Sequence, residues 1–193
     1  MSESKPLVLI DGYAMIFRGF YAMPVFNAPS GLPTNAIFAI ARFLLALDKH
    51  LPHAYGAMTL DKGRCVRRTG LHPEYKAQRP PMPEELRVQI PGIRAWVEAC
   101  GWPIVEEEGI EADDLIAGIA RHREAHPVAI ITHDKDLAQL IDDQVSIVMP
   151  GPKDSWNTLD RAGVVEKFGV PPEGIRDYLT LVGDTVDNIP GVA

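Results

Sequence analysis

The chain has 193 residues, of which 46% are hydrophobic and 23% charged, a balance that is typical of a single folded domain. Its apolar runs at residues 7–10 and 36–47 are too short for a signal-peptide core and for the roughly 20 residues that span a bilayer, so neither export nor membrane insertion is predicted. Cys65 and Cys100 show no zinc or disulfide spacing, which indicates a reducing, cytoplasmic compartment.

Charge is strongly segregated along the chain. The net charge of −7 would by itself count against a nucleic-acid partner, because polyanion binding relies on Lys and Arg at phosphates. Residues 62–79, however, contain six basic residues and only one acid, whereas residues 106–114 contain six acids and no base. The chain is therefore suited to hold cations in one place and phosphates in another.

Strand and helix patterns alternate in chain order. Short apolar or β-rich runs predict strands at residues 7–10, 55–60, 102–106, 128–132 and 145–149. Helical patterns predict a helix capped by Thr34, one from Pro83 to about Cys100 with an interruption at Pro91-Gly92, one at 111–123 and a short one at 137–141, and the signals beyond Thr158 are helical. The order predicts an α/β fold with an open, mostly parallel central sheet flanked by helices.

Carboxylates follow the ends of three predicted strands, at Asp11, Asp61 and Asp134. In open parallel sheets the carboxyl ends of the strands form the edge where sites are assembled, so we expect these acids to face one crevice. Further acids are close in sequence to each other or to Asp134: Glu111, Asp113 and Asp114 at a helix start, then Asp136, then Asp184 and Asp187.

So many carboxylates in one crevice repel one another unless cations neutralise them. Oxygen ligands suit Mg²⁺ or Mn²⁺, and two such ions about 4 Å apart can clamp a phosphodiester during hydrolysis. Taken singly, each acid has an ordinary explanation as a turn residue or helix cap. Acids from four parts of the chain that meet at one sheet edge outweigh that explanation and indicate nuclease chemistry.

The basic stretch at residues 62–79 has two explanations, a solvated surface loop or a phosphate-binding segment. Tyr75, Lys76 and Arg79 favour the second, since an aromatic ring beside cations can stack on a base while the cations hold phosphates. His133 lies between proposed ligands, but a loop histidine is more often a bystander and is given no role.

Six ordered motifs resemble the 5′ nuclease domain of bacterial DNA polymerase I, part of the flap-endonuclease family, which is related to PIN-like folds. They are Leu9-Ile10-Asp11-Gly12 with Arg18 and Phe20, Asp61 with Arg68, Tyr75-Lys76-Ala77-Gln78-Arg79, Glu111-Ala112-Asp113-Asp114, Thr132-His133-Asp134-Lys135-Asp136-Leu137, and residues 183–191 from Gly183-Asp184 to Pro190-Gly191. The resemblance spans essentially the whole chain.

This resemblance implies a role for each site residue. The first metal ion would be served by Asp11, Asp61, Glu111, Asp113 and Asp114, and the second by Asp134, Asp136, Asp184 and Asp187. Lys76 and Arg79 would be catalytic, facing the scissile phosphate from a helical arch, and the remaining nucleic-acid contacts would come from Arg18, Arg67, Arg68 and Tyr75. The implied cofactors are two Mg²⁺ ions, with Mn²⁺ as a substitute.

The resemblance also implies an organisation and a set of partners. Residues 1–180 would form the catalytic core with the basic arch at about 62–83, and residues 181–193 would begin a DNA-binding helix-turn-helix region that is cut short. The implied function is 5′-3′ exonuclease and flap endonuclease activity on 5′ ends, flaps and nicks of DNA and on RNA primers paired to DNA. The protein would act as a monomer, in association with a DNA polymerase, in replication and repair.

Three alternatives remain at the level of sequence. A PIN-type ribonuclease would share the metal chemistry but would not carry the long basic insertion after the second strand. A phospho-receiver domain should show paired acids after the first strand, whereas Gly12 and Tyr13 follow Asp11. A non-catalytic nucleic-acid-binding module would not need nine carboxylates at one edge.

Overall fold

A six-stranded sheet in the order β3-β2-β1-β4-β5-β6 forms the centre of the computed structural model, which describes residues 5–124 and 126–192. Its strands are β1 (Leu7–Asp11), β2 (Tyr55–Thr59), β3 (Ile104–Val105), β4 (Val128–Ile131), β5 (Val145–Pro150) and β6 (Trp156–Leu159). Strands β1 to β5 run parallel, and β6 is antiparallel to β5. The mostly parallel α/β sheet predicted from the sequence is thereby confirmed.

Helices cover both faces of the sheet. They are α1 (Gly12–Ala22), α2 (Asn35–His50), α3 (Val66–Leu71), α4 (Glu84–Arg87), α5 (Ile90–Ala99), α6 (Ala112–Arg121), α7 (Arg161–Phe168) and α8 (Ile175–Val182), with short 3₁₀ turns at Asp136–Leu140, Pro152–Asp154 and Pro172–Gly174. No helix of the described residues is long and apolar enough to cross a membrane.

Strand β1 supplies side chains to two separate cores, because successive residues of a strand point to opposite faces. Val8 and Ile10 pack with the buried residues of α1, α2 and α5. Leu9 packs on the other face with Ile116 of α6 and Val164 of α7. Such burial on both faces explains why β1 is continuously apolar up to its last residue, Asp11.

The elements missed by the sequence patterns are helix α1, strand β6 and helix α3, which lies in the basic stretch. Helix α1 begins directly at Gly12, where no helix was predicted; its apolar positions Met15, Ile16 and Phe20 are buried. A Cβ atom at Gly12 would lie 2.7 Å from the backbone oxygen of Thr59, so the start of α1 can approach β2 only because this residue is glycine. Strand β6 was also missed, since its four residues carry too little pattern to predict an antiparallel edge.

Two helix-end predictions were wrong in detail. Thr34 occupies the cap position of α2, but its side chain does not cap the helix. Instead the Gln89 Oε1 atom accepts hydrogen bonds from the N–H groups of Ala36 and Ile37, at 2.8 and 3.2 Å. The predicted interruption at Pro91 lies earlier, between α4 and α5, because proline is compatible with the first turn of a helix and falls inside the start of α5.

The other predicted elements agree with the structure to within one or two residues at each end, except that the helix expected at 137–141 is the 3₁₀ turn Asp136–Leu140. Residues 1–4 and Ala125 of the expected core, and Ala193 of the expected C-terminal region, lie outside the described residues.

Candidate metal and nucleic-acid site

The predicted acids lie at the carboxyl edge of the parallel strands. A cleft of about 680 Å³ is lined by Asp11, Asp61, Asp113, Asp134, Asp136, Asp184 and Asp187, together with Lys76, Arg79 and His133. Glu111 and Asp114 lie beside it at the start of α6. All nine acids are thus placed around one edge of the sheet by the ends of β1, β2 and β4, the start of α6 and the segment after α8.

Asp11 is buried and is held by hydrogen bonds to both of its carboxylate oxygens. It is 7% exposed, its Oδ1 accepts a hydrogen bond from the Ala14 N–H at 3.3 Å, and its Oδ2 accepts one from the Thr132 hydroxyl at 2.9 Å. Burial raises the pKa of Asp11 to about 6 despite these bonds. Asp11 therefore both caps α1 and points a carboxylate toward the cleft.

Thr132 connects two of the proposed metal ligands, a role that the sequence analysis did not assign to it. Its hydroxyl donates to Asp11 and also accepts a hydrogen bond from the Asp134 N–H at 3.0 Å. The residue is fully buried. The sequence offered one signal, a polar residue that ends the apolar run of β4 and immediately precedes the His133-Asp134 pair.

Asp61 holds the start of α6 against the end of β2. Its Oδ1 accepts a hydrogen bond from the Ala112 N–H at 2.6 Å. The first turn of α6 then presents Asp113 to the cleft. Burial, followed by the charge of Asp134, raises the pKa of Asp113 to about 7.

Asp134 and Asp136 are joined by a hydrogen bond from the Asp136 N–H to the Asp134 Oδ1 atom, at 2.8 Å. The Asp136 Oδ1 atom is buried and has no hydrogen-bond partner among the described residues. Burial and the charges of Asp134 and Asp184 raise the pKa of Asp136 to about 6. An unpartnered buried carboxylate oxygen is costly, and a cation beside it would remove that cost.

Basic side chains from residues 62–79 fold onto the acids at the other side of the cleft. Glu111, 7% exposed, accepts hydrogen bonds from Tyr75 Oη at 3.0 Å, from Lys76 Nζ at 2.7 Å and from the Arg68 guanidinium. Burial alone would raise the pKa of Glu111, but these donors outweigh it and the pKa is lowered. Arg68 also makes a two-pronged ion pair with Asp114, at 2.8 and 3.0 Å.

The acids after α8 are paired in the same way. Asp187 pairs with the Arg79 guanidinium and lies 3.7 Å from Lys76 Nζ. Asp184 lies 3.6 Å from the Lys135 Nζ atom, a contact that was not anticipated from the sequence. In the described part of the chain, no three His, Cys, Asp or Glu side chains are gathered closely enough to enclose a metal ion as they stand. Several of the carboxylates that could bind a metal ion are instead paired with lysine and arginine side chains of the chain itself.

The other predicted nucleic-acid residues are more scattered. Arg67 is exposed on α3, on the solvent side of the basic segment. Arg18 lies on α1 beside the β5–β6 turn, where its Nη2 donates to the Pro150 carbonyl at 3.0 Å. His133, to which no role was assigned, contacts the same carbonyl through its Nε2 atom at 3.1 Å. Arg18 lines a different cavity from the cleft that contains Lys76 and Arg79.

The chain is similar in sequence and in fold to known nucleases. Residues 6–169 match the family model described as 5′-3′ exonuclease, N-terminal resolvase-like domain. The chain belongs to this 5′-3′ exonuclease family. The membership agrees with the resemblance drawn from the six motifs.

Two curated relatives show how much of a longer protein the chain represents. It is 46% identical to DNA polymerase I of Pseudomonas aeruginosa, over all of this chain but 21% of that protein. It is 40% identical to a 5′-3′ exonuclease of Aquifex aeolicus, over 97% of this chain and 65% of that protein. The chain thus spans about a fifth of the first relative and just under two thirds of the second.

Solved structures confirm the fold. The bacteriophage T5 D15 protein co-crystallised with metal ions is 25% identical, with a TM-score of 0.76 over 97% of this chain and 70% of that one. A T5 D15 flap endonuclease complex with DNA and metal ions gives a TM-score of 0.75. The catalytic core of Rad2 with DNA substrate, 15% identical, gives 0.62 and supports the fold alone.

Proposed function

We propose that this chain carries a metal-dependent 5′ nuclease site that hydrolyses phosphodiester bonds at 5′ ends, flaps and nicks of DNA and of RNA primers paired to DNA. The observation that carries the proposal is the meeting of seven aspartates with Lys76 and Arg79 in one cleft at the carboxyl edge of the sheet. This arrangement offers oxygen ligands for cations beside basic groups for phosphate.

The carboxylates fit a divalent metal. The donor set is made of carboxylate oxygens, and the Asp136 Oδ1 atom is buried without a partner among the described residues. Burial and neighbouring carboxylates raise the pKa values of Asp11, Asp113 and Asp136, and a bound cation would offset the cost of their negative charges. We propose two Mg²⁺ ions, replaceable by Mn²⁺, with Asp11, Asp61, Glu111, Asp113 and Asp114 toward the first and Asp134, Asp136, Asp184 and Asp187 toward the second. When bound, such ions supply Lewis-acid stabilisation of charge on the phosphate.

Lys76 and Arg79 would bind the phosphate that undergoes hydrolysis. Both line the cleft, and both are paired with carboxylates in the absence of substrate. A phosphate that enters the cleft offers them charged oxygens of the same kind, so that the ion pairs can be exchanged without exposing a bare charge. Charge that grows on the phosphate in the transition state then meets a fixed ammonium and a fixed guanidinium.

Tyr75 would contribute through its ring. Its hydroxyl is held by Glu111, and the Lys76 Nζ atom lies 5.0 Å from the ring centroid. The side chain is thus fixed next to the phosphate-binding cations, where a flat ring can stack on an unpaired base. Arg18, Arg67 and Arg68 are proposed as further phosphate contacts.

The relatives named DNA polymerase I indicate where such an activity would be used. We propose that the nuclease acts beside a polymerase, in which case it would remove 5′ strands that lie ahead of synthesis.

A cleavage assay tests the proposal directly. The protein is incubated with 5′-labelled flap DNA and, separately, with the matching intact duplex, each with Mg²⁺ or with EDTA. We expect release of short 5′ products from the flap only with Mg²⁺. Asp134→Asn should abolish the release, whereas Asp143→Asn, a matched change at an exposed aspartate in the turn before β5, should leave it intact. Release in EDTA, or full activity of Asp134→Asn, would refute the proposed site.

A further inference from the structure

The basic segment and the acidic turn after α8 are joined by hydrogen bonds to their backbone groups. The Lys76 N–H donates to the Asp187 carbonyl at 3.1 Å. The Asn188 side-chain amide donates to the Glu74 carbonyl at 3.1 Å, and the His72 Nε2 atom lies 3.0 Å from the Asn188 carbonyl. These bonds join residues more than a hundred positions apart, so the two segments form one structural unit over the cleft.

Gln78 contributes two hydrogen bonds to this unit through an uncharged side chain. Its Nε2 atom donates to two successive carbonyls of the turn, Thr185 at 3.0 Å and Val186 at 3.1 Å. Its sequence neighbours Lys76 and Arg79 carry the charges that reach Asp187. Gln78 therefore fixes the backbone of the turn, while the flanking cations contact its carboxylate.

The backbone at the contact is held in an uncommon conformation. Lys76 has φ 54° and Asn188 has φ 59°, and they are two of the four non-glycine residues with positive φ in the described ranges. Asparagine accepts this left-handed region readily, but lysine does so at a cost on the order of 1 kcal/mol. Such a conformation persists where surrounding bonds determine it, and here the bonds to residues 185–188 surround it.

The turn itself is stiff. The Asp184 and Ile189 backbones exchange two hydrogen bonds of 2.8 Å, and the Asp184 Oδ1 atom accepts the Val186 N–H at 2.9 Å. Gln78 thus contacts a turn of fixed shape between its two acids. Any shift of that turn moves the Asp184 and Asp187 carboxylates together relative to Asp136.

We propose that Gln78 is a positioning residue. It holds the turn at residues 184–189 so that the carboxylates of Asp184 and Asp187 face those of Asp134 and Asp136 across the cleft, at positions from which they can bind a metal ion together. The inference rests on the proposed function, because it assigns these four acids to one ion. Gln78 is neutral and exposed, so its replacement changes geometry without changing the charge of the site or removing core packing.

Two measurements test this role. The first is Mn²⁺ binding to the DNA-free protein, followed by electron paramagnetic resonance. The second is the Mg²⁺ concentration that gives half the maximal single-turnover rate on flap DNA. Gln78→Ala removes both bonds, and Gln78→Met keeps the length and the neutral charge of the side chain but has no group that can donate to the two carbonyls. The control is Gln144→Ala, because the Gln144 side-chain amide donates to the adjacent Asp143 carbonyl before β5.

We expect both Gln78 variants to weaken Mn²⁺ binding and to raise the Mg²⁺ midpoint by about tenfold, as is typical when the support of a metal ligand is lost. The rate at saturating Mg²⁺ should stay within about threefold of the parent, and the melting temperature in EDTA should not change, results that a general loss of structure would not give.

The outcomes separate the two proposals. A parent protein that neither binds Mn²⁺ nor cleaves flap DNA would refute the proposed function itself. A parent that does both, with Mn²⁺ binding and Mg²⁺ midpoints unchanged in the Gln78 variants, would overturn the positioning role of Gln78 alone.

Discussion

The N–H group of Asp136 donates to the Asp134 carboxylate at 2.8 Å, while the Oδ1 atom of Asp136 is buried without a partner among the described residues. The backbone of Asp136 is thus fixed by Asp134, whereas the burial of its own carboxylate oxygen is not offset by a hydrogen bond. Replacing Asp136 by Asn removes the charge that a cation would neutralise but keeps the backbone bond.

We expect Asp136→Asn to lower the flap-cleavage rate by about 100-fold or more, because a removed ligand costs at least as much as a removed support. In EDTA the variant should be more stable than the parent by about 1 kcal/mol at pH 8, since a buried like charge is gone. Urea unfolding in EDTA and single-turnover cleavage check the two effects. A variant that is both active and less stable would contradict the assignment.

Asp113 predicts a specific pH dependence of stability. Its pKa is raised to about 7 from an ordinary 3.8, so the metal-free folded state binds this proton more tightly than the unfolded state does. The resulting stabilisation is fully present below about pH 4 and is lost as the pH rises through about 7. In EDTA, Asp113→Asn should therefore match the parent at pH 4 and exceed its melting temperature at pH 8. A constant difference at both pH values would show that the charge of Asp113 is not the cause.

Thr132 can be tested by an isosteric change. Thr132→Val keeps the branched side chain but removes the hydroxyl that donates to Asp11 and accepts from the Asp134 N–H. We expect activity at limiting Mg²⁺ to fall by about 10- to 100-fold and stability to fall by about 1–3 kcal/mol, because two buried partners lose their bond. Thr132→Ser should retain most of both. Equal loss in the serine and valine variants would point to packing instead of the hydroxyl.

Substitutions at Lys76 and Arg67 should distinguish an effect on the rate of the chemical step from an effect on DNA affinity. Lys76→Ala is expected to reduce the single-turnover rate at saturating protein by about 100-fold, since a cation at the reacting phosphate contributes most when charge develops. Arg67, exposed on α3, should affect only the affinity: Arg67→Ala should weaken DNA binding several-fold at low salt and leave the saturated rate unchanged. Equal effects of the two changes on the saturated rate would remove the special role of Lys76.

The sequence was sufficient to predict the parallel strands of the sheet and its acidic edge, because both depend on local patterns. Continuous apolar runs that end in aspartate, as at Ile10-Asp11, predict a buried parallel strand and the position of its side chain at the same time. Glycine at position 12 concealed helix α1, since glycine weakens a local helix prediction and its reason lies in the distant Thr59 backbone.

Contacts between distant segments were beyond local patterns. The capping of α2 by Gln89, the pairing of Lys135 with Asp184 and the bonds of Gln78 to residues 185 and 186 each depend on tertiary packing. The segregation of charge led us to expect separate acidic and basic groups, and both groups line the cleft. It did not predict that the two groups would neutralise each other across the cleft.

The position of β1 in the sheet has a consequence for synthesis of the chain. Leu7 pairs with Tyr55 on one side but with Val128 on the other, so the second hydrogen-bonding edge of the first strand stays open until about 120 further residues have left the ribosome. An apolar strand with an open edge readily pairs with other chains, and contacts of such long range form slowly. We therefore expect mutations that slow the formation of β4 to reduce the soluble yield more than they reduce the stability of the finished fold.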